Sequence, residues 1–258
     1  MILRRVIDHV KRQHWTAVFL DFVIVVLGVF IGIQVSNWNA AREDHALGID
    51  YILRLSADLE RDRIATRQLI DYYSAVLDSV LEANRLLSDS NPDARQLVVA
   101  AYRATEYATT PPNRATWDQI VSSGHLGLLP GNATDGGLSE YYTFGESNTI
   151  TALRVESSLY RQTLRSIMPL EIQLAIRDGC SDVRNESGII TGFTKECRVD
   201  VAPSILKAAA EKLQSNPTIR DDLRYQYSLV ASVRNNYRGS LVAIEQAQAA
   251  LSEAEDAQ

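Results

Sequence analysis

The sequence predicts an all-α protein in which one N-terminal transmembrane helix continues into an extracytoplasmic antiparallel helical bundle. Three observations predict it. An apolar run lies between Trp15 and Trp38, basic residues are in excess ahead of that run, and apolar residues recur at steps of three and four along the rest of the chain. The expected organisation is a cytoplasmic basic segment over 1–14, a transmembrane helix over 15–38 and an extracytoplasmic helical domain over 39–258.

The run from Trp15 to Val35 is about 21 residues long, enough at helical rise to cover a hydrocarbon layer of roughly 30 Å. Trp15 and Trp38 stand at its ends, where amphipathic rings favour the headgroup level, and are expected to be membrane interface anchors. Asp21 interrupts the run; a carboxylate at the bilayer centre costs about 2.5–3.5 kcal/mol on insertion scales. Its place near the first boundary reads as a headgroup-level carboxylate or a polar contact to another helix. Arg4, Arg5, Lys11 and Arg12 precede the span against Asp8 alone, and only Arg42 and Arg54 follow closely. That bias keeps the N-terminus in the cytoplasm and sends the remainder across, as expected for a bacterial inner-membrane protein with a periplasmic C-terminal domain.

A cleavable signal peptide fits poorly, since a cut after Ala40 or Ala41 would set Trp38 or Asn39 where a small residue is required. No cysteine stands directly after the run, which argues against a lipoprotein anchor. Gly28 and Gly32 form G-x-x-x-G, a spacing that lets two helix backbones approach closely, and are the expected transmembrane helix contact. Tolerance of glycine in a membrane span is the alternative.

The span end also carries a resemblance. Gly28, Ile31, Gly32, Gln34, Asn37, Trp38 and Asn39, preceded by Asp21 where Glu is frequent, resemble an uncharacterised bacterial family of single-span membrane proteins. Thr116-Trp117-Asp118, then Ser122-Ser123-Gly124-His125-Leu126 and the paired Tyr141 and Tyr142, extend the resemblance, with His125 where a small polar residue such as Asn is expected. The resemblance implies the topology and a helical extracytoplasmic part, and it brings no activity.

With 258 residues, 46% hydrophobic and 22% charged, the chain can bury a core and is neither a disordered tail nor a multi-pass membrane protein. A formal net charge of -6, without a basic cluster after Trp38, argues against a nucleic-acid partner. Two cysteines exclude a Cys-rich zinc framework. In an oxidising compartment Cys180 and Cys197 are expected to form a disulfide closing a loop of roughly 17 residues, worth about 3 kcal/mol on the chain-entropy model. Reduced core thiols would follow from the opposite orientation.

A long helix is expected from Ala40 to Ser88, with Ile49, Ile52, Leu59, Thr66, Ile70, Tyr73, Leu77, Val80, Asn84 and Leu87 on its apolar stripe. Asp58, Glu60, Arg61, Asp62 and Arg67 read as its solvated face. A helix from Asp93 to about Tyr107 follows, then a short one capped by Asn113 and stopped by Gly124, then a loop over Gly127–Gly137. A third long helix is expected from Leu138 to Arg177, kinked at Pro169, with Ile150, Leu153, Ser157, Tyr160, Leu164, Ile167 and Leu174 on one face. The segment between the cysteines is expected to be strand-poor. A helix over Pro203–Leu213 and a last one from Ile219 to about Glu253, with Leu223, Tyr227, Val230, Tyr237, Leu241, Ile244 and Leu251, complete a bundle of coiled-coil character.

Catalytic signatures need fixed residues at fixed spacing, and none is assigned here. His9, His14, His45 and His125 make no H-E-x-x-H or H-x-x-H pair, and the glycines of 131–137 lack the lysine of a phosphate loop. Ser122 and Ser123 sit in no G-x-S-x-G elbow. No catalytic, cofactor-binding or metal residue is therefore expected, and no cofactor. The leading expectation is a non-catalytic, membrane-anchored envelope protein that contacts the lipid bilayer and binds a second copy of itself or another envelope protein. A ligand-sensing domain signalling through a partner is the alternative, because about 14 residues inside the cell are too few for an output domain. An envelope enzyme would rest on Ser123 and His125 alone.

Overall fold

A computed structural model describes residues 15–186 and 188–256. The basic segment predicted over 1–14 lies outside the described residues, and so does the side chain of Trp15. The chain divides into two units, residues 1–50 and 51–258.

In the first unit the described chain is a single α-helix, part of α1 (Trp15–Ser88). Its apolar side chains Phe19, Phe22, Ile24, Leu27, Phe30, Ile31 and Ile33 are exposed, and the most apolar window of α1 buries none of its residues. By length and composition this is a helix able to cross a membrane.

In the second unit α1 is followed by α2 (Ala94–Arg103), α3 (Ala115–Ser122), a 3-10 turn (His125–Leu128), α4 (Gly131–Ala133), a π-helical turn (Thr134–Leu138), α5 (Ser139–Glu156), α6 (Leu159–Ile167) and α7 (Leu170–Gly179). A short hairpin of β1 (Asp182–Arg184) and β2 (Ile190–Phe193) comes next, then α8 (Pro203–Ser215) and α9 (Ile219–Asp256). The unit is mostly helical.

The two long helices explain the core. Along α1, Leu55, Leu59, Asp62, Thr66, Leu69, Tyr73, Val76, Val80, Ala83 and Leu87 alternate at steps of four and three, and every one is buried. Along α9, Ile219, Leu223, Gln226, Val230, Val233, Tyr237, Ser240, Ile244, Ala247 and Leu251 keep the same spacing and are also buried. A seven-residue repeat keeps one seam of a helix facing one partner. The two run in opposite directions: Arg220 donates to the carbonyl of Leu87, Tyr73 stacks on Tyr237 with ring centroids 5.9 Å apart, and Arg67 pairs with Glu245 at 2.8 Å. One core cluster joins the end of α1 to α2, α6, α7, α8 and the start of α9, with Leu97, Tyr160, Ile172, Leu206 and Leu223 fully enclosed. A second joins Leu69, Tyr72, Tyr73 and Val76 to Ala152, Val155, Ile190, Val230 and Val233.

Several expectations are corrected. Asp58 and Asp62, read as solvated, are buried, while Asn84, placed on the apolar stripe, is exposed. The strict seven-residue seam takes in position 62 and passes position 84 by. Helix α2 stops at Arg103 instead of about Tyr107, and the carbonyls just past its end, which a continued helix would use, are taken from elsewhere: Gln226 donates to the Ala104 carbonyl at 2.9 Å and Arg161 to that of Thr105 at 2.6 Å.

The helix expected from Leu138 to Arg177 is three helices. Ser158 accepts from the Arg161 N–H and restarts the chain as α6, and Pro169 separates α6 from α7. Its predicted face fails at Ile150, Leu153, Ser157 and Leu174, which are exposed. Between the cysteines, β1 and β2 pair antiparallel with Asp182 opposite Phe193 and an irregularity after Val183, so the segment is not free of strand.

The predicted loop over Gly127–Gly137 is largely helical. Tertiary contact overrides the glycines: the widened turn seats Gly137 on α9, where a Cβ would lie 2.8 Å from the Ala247 nitrogen and 2.9 Å from the Ala243 carbonyl oxygen. Gly137→Ala should therefore lower stability by about 1–3 kcal/mol, read as a shift in urea midpoint at unchanged slope. An unchanged midpoint would show that this approach is looser than described.

Candidate functional site

A concentrated polar arrangement in the second unit is built on Asp62. It sits in the middle of the α1 seam, 3% exposed. The Asn113 backbone N–H donates to both of its oxygens, at 3.0 and 3.2 Å, the Asn113 side-chain amide donates to Oδ1, and the Tyr141 hydroxyl donates to Oδ2 at 2.8 Å. Asn113 is thereby withdrawn from the capping role expected of it; the residue before α3 is Arg114, with no side-chain cap.

Around this carboxylate the aromatic residues close the structure. Trp117 stacks on Tyr142 at 5.0 Å and 14°, and Tyr141 packs against Tyr142 at 5.0 Å. Arg114 donates to the Tyr142 carbonyl at 2.8 Å, reaches Asp118 at 3.2 Å and lies 5.6 Å over the Tyr142 ring. Asp58, one turn before Asp62, is also buried and pairs with Arg61. Burial pushes the Asp62 carboxyl above the usual carboxylate range against the opposing pull of Tyr141 and Asn113, and the Asp58 charge adds to the rise. Burial likewise pushes the Tyr141 and Tyr142 hydroxyls up.

Chemically the arrangement is a clamp. Three protein donors, one of them shared between both oxygens, occupy the Asp62 carboxylate, leaving little capacity to accept a proton from a ligand. What it does is hold the segment before α3 and the first turn of α5 onto α1.

The residues singled out from the sequence fall in separate places. His125 is hydrogen-bonded, its Nδ1 2.9 Å from the Tyr51 hydroxyl, while Ser122 and Ser123 are exposed. Gly124 follows α3 with φ 71°, the left-handed conformation that a helix stop favours. Cys180 and Cys197 are joined in a disulfide. Gly28 and Gly32 have no atom within 4 Å of an added Cβ. Trp38 is exposed, with the Arg42 guanidinium 4.9 Å from its ring centroid. Among the described residues no group of three or more His, Cys, Asp or Glu could hold a metal ion. Sequence reasoning passed over Asp62, although its place between Leu55, Leu59, Thr66 and Leu69 on a seven-residue repeat was a usable signal.

Asp62→Ala should destabilise the protein by about 2–4 kcal/mol, because it strands the buried Asn113 and Tyr141 donors. Asp62→Asn keeps one acceptor and offers an N–H to the tyrosine oxygen, so it should cost clearly less; equal losses in urea denaturation would refute the clamp.

No curated protein and no solved structure matches the chain. Residues 21–144, the stretch that holds the apolar helix together with Asp62, Asn113, Trp117, Tyr141 and Tyr142, match a family of unknown function (DUF6090).

Proposed function

We propose that this chain is a single-pass protein of a bacterial inner membrane, with its basic N-terminus in the cytoplasm and its helical domain in the periplasm. It acts there without catalysis, through contact with a second copy of itself or with another envelope protein. The observation that carries the reading is the uncovered apolar window of α1, in which no residue is buried by protein, so that lipid is the solvent that suits it. The Cys180–Cys197 disulfide agrees with an oxidising compartment. The paired seams of α1 and α9 support an antiparallel bundle as the docking part.

Gly28 and Gly32 are the proposed contact within the membrane. Both are open, leaving a shallow face on which a second backbone could lie. Two measurements test the reading. A periplasm-dependent phosphatase reporter fused after α9 should be active in cells, and an inactive reporter would reverse the orientation. Cross-linking in mild detergent should give a dimer or a larger complex whose yield falls several-fold in Gly28→Leu/Gly32→Leu; a strictly monomeric, partner-free particle counts against the reading.

A further inference from the structure

Beside the disulfide-closed hairpin lies a cavity of about 550 Å³ that is unrelated to the Asp62 clamp. Leu69 and Ala108 contribute apolar surface, the extended segment from Glu106 to Pro111 runs along it, and the turn at Gly188–Ile190 borders it. Its charged lining is Arg161 from α6, Arg177 from α7, Arg184 and Asp182 from β1, and Glu106.

Three guanidinium groups thus meet two carboxylates, and one of those carboxylates is already engaged: Glu106 pairs with Arg165. The cavity thus carries a local positive excess in a chain of formal net charge -6. The arginines are also held in position. Arg161 donates through Nη1 to the Thr105 carbonyl at 2.6 Å and lies 5.2 Å from the Tyr107 ring centroid. Arg177 donates through Nε to the Tyr102 hydroxyl at 3.0 Å, and its two terminal nitrogens have no acceptor among the described residues. Arg184 donates through Nη1 to the Gly188 carbonyl at 2.7 Å. The hairpin that carries Arg184 is fixed by the disulfide and by Arg103, which donates to the carbonyls of Thr194 at 2.9 Å and Cys180 at 3.3 Å.

A guanidinium anchored through one nitrogen and open at the others is arranged for planar, bidentate recognition of an oxyanion. We propose that this cavity binds a small molecule carrying a carboxylate or a phosphate group, with Arg177 and Arg161 as its principal contacts. The proposal goes beyond the membrane reading and does not depend on it.

Asp182 gives the site a pH dependence. Burial, and secondarily the Glu106 charge, hold its carboxyl up at about 6. Tyr72 donates to it from α1 at 3.3 Å, and Arg103, Arg177 and Arg184 face it from α2, α7 and β1. As pH falls through that value Asp182 takes up a proton, the cavity loses a negative charge, and an anion is held more tightly.

The test is thermal denaturation of the full chain in mild detergent with sulfate, inorganic phosphate or succinate, against chloride at matched ionic strength. At about 10 mM, well above a dissociation constant of about 1 mM, at least one of the three should raise Tm above the chloride control. Succinate against the two tetrahedral anions separates the carboxylate from the phosphate source. Arg177→Gln should weaken binding roughly tenfold, the scale of one lost charge-assisted contact, while Lys207→Gln on the exposed face of α8 should leave it unchanged. Sulfate stays ionised throughout, so its binding should tighten between about pH 7.5 and 5.5 in the native chain and not in Asp182→Asn. An Arg177→Gln protein that keeps its ligand-free Tm but loses the response supports the site. The proposal is overturned if no anion exceeds chloride, or if Arg177→Gln and Arg161→Gln both respond as the native chain does.

Discussion

The packing of α1 against α9 along two seven-residue seams is the constraint on which the second unit depends. Each helix buries one side chain at every step of the seam, and the shorter helices are laid on the pair thus formed. An isolated helix gains little from its own backbone, so α1 and α9 owe their definition to this mutual burial. At roughly 25 cal/mol per Å² of apolar surface, seams of this length supply the dominant favourable term in folding.

Polar residues interrupt both seams, and three of them are matched by partners from other elements. Asp62 takes Asn113 and Tyr141, Gln226 takes the Ala104 carbonyl, and Ser240 accepts from Asn148 at 2.6 Å. An unpaired buried polar group costs more than a made hydrogen bond gains, so these positions specify where the connecting segments must lie. They set the path from α2 to α3 and the seat of α5. The charged cavity follows from that same placement, since it is bounded on one side by the segment leaving α2 and on the other by the hairpin.

Much of this architecture could be read from residue order. The apolar run, most of the last helix's stripe (Leu223, Val230, Tyr237, Ile244 and Leu251, though Tyr227 is exposed and Leu241 only half-buried), and the stop at Gly124 all depend on local chemistry: hydropathy, helical period and the freedom of glycine at positive φ. The disulfide could be proposed because only two cysteines exist. The breaks at Ser158 and Pro169 were only half legible. Proline announces itself, whereas the Ser157-Ser158 pair lies inside an otherwise continuous pattern. The helical turns at 131–138 were not legible at all, since glycine-rich composition argues for a loop and only the close seat on α9 makes helix the better state.

The sequence by itself determined that an apolar helix precedes a mostly helical domain, because hydrophobic length and period are properties of neighbouring residues. Only the tertiary structure decided that Asp62 is buried instead of solvated, that Asn113 serves a carboxylate instead of a helix end, and that Arg161, Arg177 and Arg184 line one cavity. Those outcomes are set by groups far apart along the chain, and the free energy of a buried charge or donor depends on what packing brings to within hydrogen-bond distance of it.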